Sequence, residues 1–570
     1  MTRNTTMTTP FAARIGAHRT GSIAALLALG ACAAVASALN SSSIQGAPVP
    51  APAKPAAAPT GGGASAAAAQ RGTGASGIPA RPEKLAYPPL TFEAPRAADY
   101  RRTLSDGTVV YMAPNTEFPL ISLAVTCMGG ANLDPADRVG LASMAGSMMR
   151  RGGAGTLSAA EFDETLDFMA TNMAVRVGEW NSSASLDCLA SNFDESLKLF
   201  VDMLRNPRFD AARFKVAMDE AMEGLKQRND DADSIIDREW NMMFWGADHY
   251  AGRQPTGASL AAITDSDMRA MAARIFNPGN MIISVTGDFE PEAMAKKLEQ
   301  ALAGWPRSQR LAPPSAPAAD PTPGLYIAEK DIPQGKVYIG MRSIERDNPD
   351  AIAYFVMNDI LGGGGFSSRI MQRVRSDEGL AYSAGSRFAP EPFYAGSFRA
   401  GFQSKSPTVA LAIKLIMDEI EEIRTKPVSE EELEVAKASL IETFPQRFAS
   451  KPAMLGVFVT DEWTNRPADF WQNYRERVKA VTAADVQRVA KTYLQPDKLA
   501  IMVVGDWSDI SKGDPQGRAD MAKLRSEYGI AAPVMLPSRD PVTLAPVPVQ
   551  PTAPATPEGS ATPQPAVGGS

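Results

Sequence analysis

Residues 263–288 (ITDSDMRAMAARIFNPGNMIISVTGD) align without a gap on residues 481–506 (VTAADVQRVAKTYLQPDKLAIMVVGD). Thr264 falls on Thr482, Asp267 on Asp485, Pro278 on Pro496 and Gly287-Asp288 on Gly505-Asp506, each pair 218 positions apart (482 − 264). A constant offset is the mark of a duplication, so the chain has to fold as two similar units. At 570 residues it is long enough for both to bury a sizeable core.

Each copy has a physical reading. Thr264-x-x-Asp267 and Thr482-x-x-Asp485 are helix starts of the capping-box type. Met268, Met271, Ala272 and Ile275 then recur at spacings of three and four, which puts them on one helical face. Pro278 stops that helix, and 281–286 is a β-rich run closed by Gly-Asp. Earlier in each half, residues 120–127 and 336–341 read as opening strands, followed by long helices starting near Val139 and Asp350. Helices dense in acidic and basic residues surround Glu220 and Glu432. Strands and helices alternate irregularly, which predicts the α+β class: two homologous lobes, each a sheet with helices packed on one face.

Composition changes around these units. Residues 1–20 carry Arg3, Arg14 and Arg19 without an acid and run into SIAALLALGA, which ends at Cys32. That is the layout of an export signal. Leu29-Gly30-Ala31-Cys32 is similar to the bacterial lipobox, whose cysteine becomes the lipidated first residue; a plain signal peptide and an uncleaved anchor are the alternatives. Ala, Pro and Gly dominate the stretch that follows, with too little apolar side chain to offset the entropy of ordering. The predicted organisation is a signal peptide (1–31), a disordered tether (32–94), a first lobe (95–305), a linker (306–324), a second lobe (325–512) and a largely disordered Pro-rich tail (513–570). The expected location is the periplasmic side of a bacterial envelope.

Charge and histidine content narrow the chemistry. Lys+Arg 57 against Asp+Glu 64 leaves −7, without the basic field that grips a phosphate backbone, which argues against nucleic acid. The glycine run Gly362, Gly363, Gly364, Gly365 precedes Phe-Ser-Ser-Arg rather than Gly-Lys-Ser, so it is no P-loop; a flexible packing loop is one reading of it. The only two histidines are His18, in the leader, and His249. A mature chain with one imidazole cannot build a two-histidine metal site, nor a Ser-His-Asp arrangement away from His249. Cys127 and Cys188 sit on predicted strands, either paired in an oxidising compartment or separate as buried thiols. A Cys127/Cys188/His249 metal site has no tight spacing behind it.

Four segments carry a family resemblance. Residues 137–152 (DRVGLASMAGSMMRRG), the stretch around Glu223, Asp248-His249-Tyr250-Ala251-Gly252, and 361–383 (LGGGGFSSRIMQRVRSDEGLAYS) together resemble the M16 family. These are the pitrilysin-like zinc metallopeptidases, which include the mitochondrial processing peptidases. The resemblance spans nearly all of both lobes and implies mainly antiparallel sheets in a clamshell. Active members carry His-x-x-Glu-His on the first long helix, where i, i+4 histidines share a face and the glutamate activates a water. Here Ser143 stands at the first histidine, Gly146 at the base and Ser147 at the second histidine. Only Glu223, 76 residues on (223 − 147), matches the remaining ligand. Serine hydroxyls are poor zinc ligands and glycine takes no proton, so no metal is expected in this chain, and Glu223 is expected to be a helix-surface or hydrogen-bonded residue. The segment at His249 is similar to the family's structural His-Pro-Tyr-Gly turn.

The second lobe keeps more. Residues 367–374 read as a helix, 376–379 as its exit, and 380–388 as a strand with Leu380, Tyr382 and Ala384 on one face. Arg375 and Tyr382, seven apart (382 − 375), match the arginine and tyrosine by which the family's C-terminal lobes complete an active site. A guanidinium offers a fork of donors to peptide carbonyls, and a phenol donates to a developing oxyanion. Without the resemblance, Arg375 reads as a charge paired with Asp377 or Glu378, and Tyr382 as a packed strand residue. In the family the glycine run Gly362–Gly365 lies before this segment and faces the substrate chamber.

The resemblance therefore implies a non-catalytic, substrate-binding subunit of a heteromeric zinc peptidase, inactive alone. A partner bearing His-x-x-Glu-His would supply zinc, base and the sheet edge that holds a peptide or unfolded segment as an added strand. An envelope scaffold or peptide-binding protein with a peptidase-like fold is the alternative; an autonomous peptidase with an unrelated site is the weakest.

Overall fold

The computed structural model describes residues 91–547. The signal peptide, Cys32 and nearly all of the tether lie outside the described residues, as does the chain from 548 on. Strands β1 (Arg101–Thr103), β2 (Val109–Pro114), β3 (Leu120–Met128), β4 (Asn172–Val177), β5 (Asn181–Leu189) and β6 (Met281–Gly287) form one six-stranded sheet, in the order β1-β2-β6-β3-β5-β4. Strands β7 (Gly324–Glu329), β8 (Gln334–Arg342), β9 (Ala381–Ala389), β10 (Ser397–Lys405), β11 (Ala500–Gly505) and β12 (Val534–Leu536) form the other, β12-β7-β11-β8-β10-β9. The orders coincide when β2 to β6 are read as β7, β8, β9, β10 and β11. Each sheet has a parallel pair, β2 with β6 and β7 with β11, inside a mainly antiparallel ladder. The outer strands break the repeat: β1 is antiparallel to β2, whereas β12, from the far end of the chain, is parallel to β7.

Local chemistry sets these elements. In β3, Ile121, Leu123, Val125 and Cys127 are buried in alternation with half-buried Ser122, Ala124 and Thr126, the period-two pattern of a strand with one face on a core. The helices Asp265–Ile275 and Ala483–Tyr493 both open on reciprocal caps. The Asp267 amide donates to Thr264 Oγ1 at 3.2 Å and the Thr264 amide to Asp267 Oδ2 at 3.0 Å; the pair Thr482/Asp485 repeats this at 3.2 and 3.1 Å. One large core lies between helices and sheet in each lobe.

The duplication does not announce how the halves are joined. Helix Ala232–Trp245, from the first half, packs Ile235, Ile236, Trp240 and Phe244 onto Ala328 of β7 and Ala500, Met502 and Val504 of β11. Reciprocally, helix Lys451–Trp463 packs Met454, Leu455, Phe458, Val459 and Trp463 onto Tyr111, Ala113, Met128 and Ile282 of the first lobe. Polar contacts repeat the exchange: the Tyr338 hydroxyl donates to Asp237 at 2.8 Å, and the Tyr111 hydroxyl to Glu462 at 2.8 Å. Each sheet thus has its own helices on one face and a helix from the other half on part of its second face.

Three expectations about the flanks need correction. The linker is pinned rather than loose: the Leu311 amide donates to Asn280 Oδ1 at 3.0 Å, the Arg310 guanidinium lies 3.7 Å from the Trp463 ring centroid, and Arg342 pairs with Asp320 at 3.5 Å. The tail is structured as far as 547. Asp520 caps helix Met521–Tyr528, which buries Met521 and Leu524; β12 then covers β7, Arg539 reaches Glu239 at 3.0 Å, and the Val542 carbonyl accepts from the Gly257 amide at 2.8 Å. Those few apolar residues suffice because they close an otherwise open sheet edge. The end of the tether is ordered too, but on the second lobe: Phe92 stacks against Phe448 and meets Phe444 edge-on. Cys127 lies opposite Ser182 and Cys188 opposite Ile121, near opposite ends of the β3/β5 ladder; both are free thiols. Burial raises both, Cys188 to about 11.

Candidate functional site

Helix Leu141–Arg151 is started from outside itself. The Asp134 carboxylate, six and eight residues upstream of its donors, accepts from the Gly140 and Ala142 amides at 2.8 Å each. Gly140, at φ +104°, makes the turn that brings them together. Ser143 and Ser147 then line a cleft of about 320 Å³ with Arg150, Arg151, Met173, Ala174, Val175 and Val177. The cleft runs along β4, the outermost strand of its sheet. Gly146 is buried against that strand: a Cβ there would lie 2.5 Å from Val177 Cγ2. The position of the base is therefore occupied by the wall of the sheet, not merely lacking a carboxylate.

Glu223 is not among the residues that line this cleft. It is exposed on helix Ala211–Gln227, accepts from Lys226 Nζ at 3.1 Å and Gln227 Nε2 at 3.2 Å, and is held below the usual carboxylate range by those two donors. The two helices are tied instead by a guanidinium fork, Arg151 Nη1 and Nη2 donating to Glu220 at 2.8 and 3.0 Å. Two hydroxyls, a filled base position and a carboxylate engaged elsewhere do not fit a Zn²⁺ ion. Among the described residues no group of three or more His, Cys, Asp or Glu is arranged to hold a metal. His249 has other work. Its Nδ1 accepts from the Ala251 amide at 3.3 Å, which puts the proton on Nε2, 3.0 Å from the Ser315 carbonyl oxygen of the linker. Burial lowers its pKa, against the pull of the Ser315 carbonyl, and so favours the neutral ring.

The second lobe gathers its residues differently. The helix predicted at 367–374 is Arg369–Met371 continued as a π-helix over Gln372–Asp377, which sets Arg375 in its last turn. The guanidinium carbon lies 4.8 Å from the Tyr382 ring centroid and 4.7 Å from that of Phe366. Arg375 thus lies against Tyr382, and Phe366, which the sequence reading left unassigned, completes a sandwich. The signal was an aromatic immediately after four glycines. Tyr382 is 83% exposed and Phe366 68%, so this cation–π arrangement faces solvent. The local pairing of Arg375 with Asp377 or Glu378 does not occur: Arg373 takes Asp377 at 3.9 Å and Arg518 takes Glu378 at 2.6 Å.

The shared face expected for Leu380, Tyr382 and Ala384 is also corrected. Ala381 pairs with Ser404 but Ala384 with Phe402, three residues against two, so β9 carries a bulge at Tyr382-Ser383. Ala384 turns into the core while Tyr382 turns out. The glycines act as a close-packed turn. Residues Asp359–Gly363 form a π-helix, and a Cβ on Gly362 would collide with the Ser386 amide of β9. The Ser386 hydroxyl donates to Asn358 Oδ1 at 2.8 Å, and Arg369 forks onto Glu432 at 2.6 and 3.0 Å. Burial opposes ionisation of Glu432, but the Arg369 fork and Ser429 outweigh it and hold its pKa at about 2.

The tips of the two outer hairpins meet. Trp180, between β4 and β5, packs edge-on against Phe393, between β9 and β10, with centroids 5.2 Å apart. Beside them the Tyr250 and Tyr394 hydroxyls share a short hydrogen bond. Burial, and then the charge of Glu179, push Glu391 up to about 7 against the pull of Arg387.

Comparison with known proteins follows the motifs. Residues 262–440 match the Peptidase M16 inactive domain, a span that includes Arg375 and Tyr382. A Helicobacter pylori protein named non-peptidase homolog YmxG is 22% identical over 395 residues, 69% of this chain and 90% of its own length. An uncharacterized zinc protease of Mycobacterium leprae is 26% identical over 291 residues, 50% of this chain and 64% of its own. Among solved structures, a peptidase M16 inactive domain from Pseudomonas fluorescens superimposes with a TM-score of 0.65 at 23% identity, covering 71% of this chain and 97% of that one.

Proposed function

From the premise that this is a catalytically inactive chain of the M16 type, we propose that it is the substrate-binding subunit of a heteromeric zinc peptidase in the bacterial envelope. A partner chain bearing His-x-x-Glu-His supplies zinc and base, and this chain supplies Arg375 and Tyr382. The observation that supports this most is Arg375, half-buried between the exposed rings of Phe366 and Tyr382, in a molecule whose own motif positions are Ser143, Gly146 and Ser147. A guanidinium flanked by two solvent-facing aromatic rings is poised for something outside its own lobe. The guanidinium fork suits peptide carbonyls, and the phenol suits an oxyanion formed on the partner's zinc site. Its substrate is a peptide or unfolded segment, and Cys32, if lipidated, holds it at the membrane.

The test mixes this chain with its His-x-x-Glu-His homologue. Hydrolysis should appear only in the mixture, with zinc carried by the homologue. Arg375→Ala and Tyr382→Phe should each lower kcat by about tenfold or more while association persists. Wild-type rates in both variants would remove the role assigned to them, and chelator-sensitive hydrolysis by this chain alone would overturn the reading.

A further inference from the structure

The helix that carries Arg375 is fastened at both ends. At its start the Arg369 guanidinium forks onto Glu432, and at its exit Glu378 accepts from Arg518 Nη1 at 2.6 Å. The first clamp has a counterpart in the other lobe, Arg151 on Glu220. The second comes from a piece of chain that the other lobe lacks. In each lobe the strand that closes the repeat is followed by a helix tied to the helix after the outer hairpin: Pro291–Leu302, with Lys297 on Asp194, and Met521–Tyr528, with Glu527 on Lys414. Pro291 comes three positions after Asp288 (291 − 288), but Met521 comes fifteen after Asp506 (521 − 506). The difference, twelve residues (15 − 3), is an insert that carries Asp514 and Arg518.

This insert holds one guanidinium still. The Asp514 side chain is 2% exposed, and its backbone is closed into a turn, the amide donating to the Ala519 carbonyl and the carbonyl accepting from the Gly517 amide, both at 2.8 Å. Arg518 donates to Asp514 through Nε at 2.9 Å and Nη2 at 3.1 Å, which fixes the plane of the guanidinium and leaves Nη1 aimed at Glu378. Met521 and Leu524, just beyond, are buried in the core of the lobe, so the anchor is attached to its body. A solvated ion pair fixes little, but a bidentate one on a buried carboxylate keeps its geometry.

Glu378 is where that hold matters. Arg375 lies in the last turn of the π-helix Gln372–Asp377, a rare form met chiefly as single turns at functional sites. Glu378 follows it directly. Gly379, at φ +63°, then turns the chain back, its amide donating to the Arg375 carbonyl at 3.0 Å and the Leu380 amide to the Val374 carbonyl at 2.9 Å. Within the turn, Arg373 meets Asp377 at 3.9 Å and Glu419 at 3.6 Å, too far to do the same work. The Glu378 clamp therefore sits between the two partners of the Arg375–Tyr382 contact, and slackening it changes the direction in which Arg375 leaves its helix.

We propose that Asp514 and Arg518 are positioning residues of the Arg375 site, holding the π-helical turn through Glu378 so that the guanidinium stays against Tyr382. The proposal rests on the functional reading above for the use of that site and names what controls it.

The experiment places fluorotyrosine at position 382 of the full chain and reads its fluorine resonance, with Arg375→Ala marking the position of a ring that has lost its cation. Glu378→Ala, which cuts the tie without touching buried Asp514, should move the resonance most of the way to that mark, and Arg518→Gln should do the same. Hydrogen exchange at the Gly379 and Leu380 amides should rise about tenfold in both, with β10 unchanged. A resonance that Glu378→Ala leaves in place overturns the proposal, whether or not Arg518→Gln folds. So does a resonance that Arg375→Ala leaves in place, since there is then no contact to position. In the mixed enzyme, Glu378→Ala should lower kcat by about threefold to tenfold. If that enzyme depends on Arg375 but the resonance ignores Glu378→Ala, this inference falls and the proposed function stands. If the resonance responds but mixing yields no hydrolysis, the reverse holds.

Discussion

The first helix of each lobe lies against the outer hairpin of its own sheet, and both lobes lock the region in the same way. Arg151 forks onto Glu220 in one and Arg369 onto Glu432 in the other, the two arginines 218 apart (369 − 151), the offset of the repeat itself. Both contacts are made close by a glycine, Gly146 against Val177 and Gly362 against Ser386. What the hairpins present is nevertheless different. The first lobe shows two serine hydroxyls beside a base position filled by valine; the second shows an arginine between two exposed aromatics. The difference teaches that the frame and the chemistry of this fold are separately held. Salt bridges between helices and glycine contacts with the sheet keep the frame whether or not any reactive group remains there.

That comparison is most severely tested through the exchanged helices. Trp240→Ala and Phe458→Ala each empty a large buried site and should cost about 3–5 kcal/mol. Because each residue belongs to one half and packs on the other, either variant should lower the melting temperature of both lobes in one transition. Calorimetry showing two separate transitions, with only one moved, would break the equivalence claimed for the lobes.

The glycines come next. Gly362→Ala places a methyl group against backbone and Gly146→Ala places one against a valine side chain, so the expected costs are about 2–3 and 1–2 kcal/mol respectively. Urea unfolding of the pair ranks them. For the same reason, writing His, Glu and His at 143, 146 and 147 should not restore zinc binding by this chain until Val177 is also shortened; equilibrium dialysis of the triple variant decides it.

Glu391 sharpens the junction between the hairpins. Its folded pKa, about 7, lies above its unfolded value near 4.3, so the folded state holds a proton that the unfolded state has lost between those values. The protein should therefore be most relieved of this penalty below about pH 4.3 and should lose on the order of 1–2 kcal/mol as pH rises through about 7. Glu391→Gln should flatten that part of the profile. The smallest effect expected is at Gly224, mid-helix with open space around its Cβ direction: Gly224→Ala should stabilise by about 0.5–1 kcal/mol, opposite in sign to Gly146→Ala.

Much of this was legible in the sequence because it is local. The caps at Thr264 and Thr482, the stops at Pro278 and Pro496, the alternation of β3 and the changed residues 143, 146 and 147 all depend on neighbours within a few positions. Arg375 and Tyr382 were singled out by resemblance, but the contact between them was not readable from their spacing. Other features depend on distant parts of the chain and left no local trace. The apolar stripe of 451–463 says that the helix is covered, not by which sheet. The bulge at Tyr382-Ser383 is visible only against the register of β10, and residues 513–547 look sparse until β7 offers them an edge. Phe366 lacked a partner in the sequence because the ring's neighbour, Arg375, is reached only once the intervening turn is π-helical.

The reciprocal helices also bear on how such a chain is made. The first sheet is complete on leaving the ribosome long before residues 451–463 exist, so Tyr111, Ala113, Met128 and Ile282 stay wet until nearly the whole protein has been synthesised. A half-length ancestor with the same trade could have covered that patch only by swapping with a second copy of itself. Joining two copies in one gene replaces a concentration-dependent encounter with a tethered one.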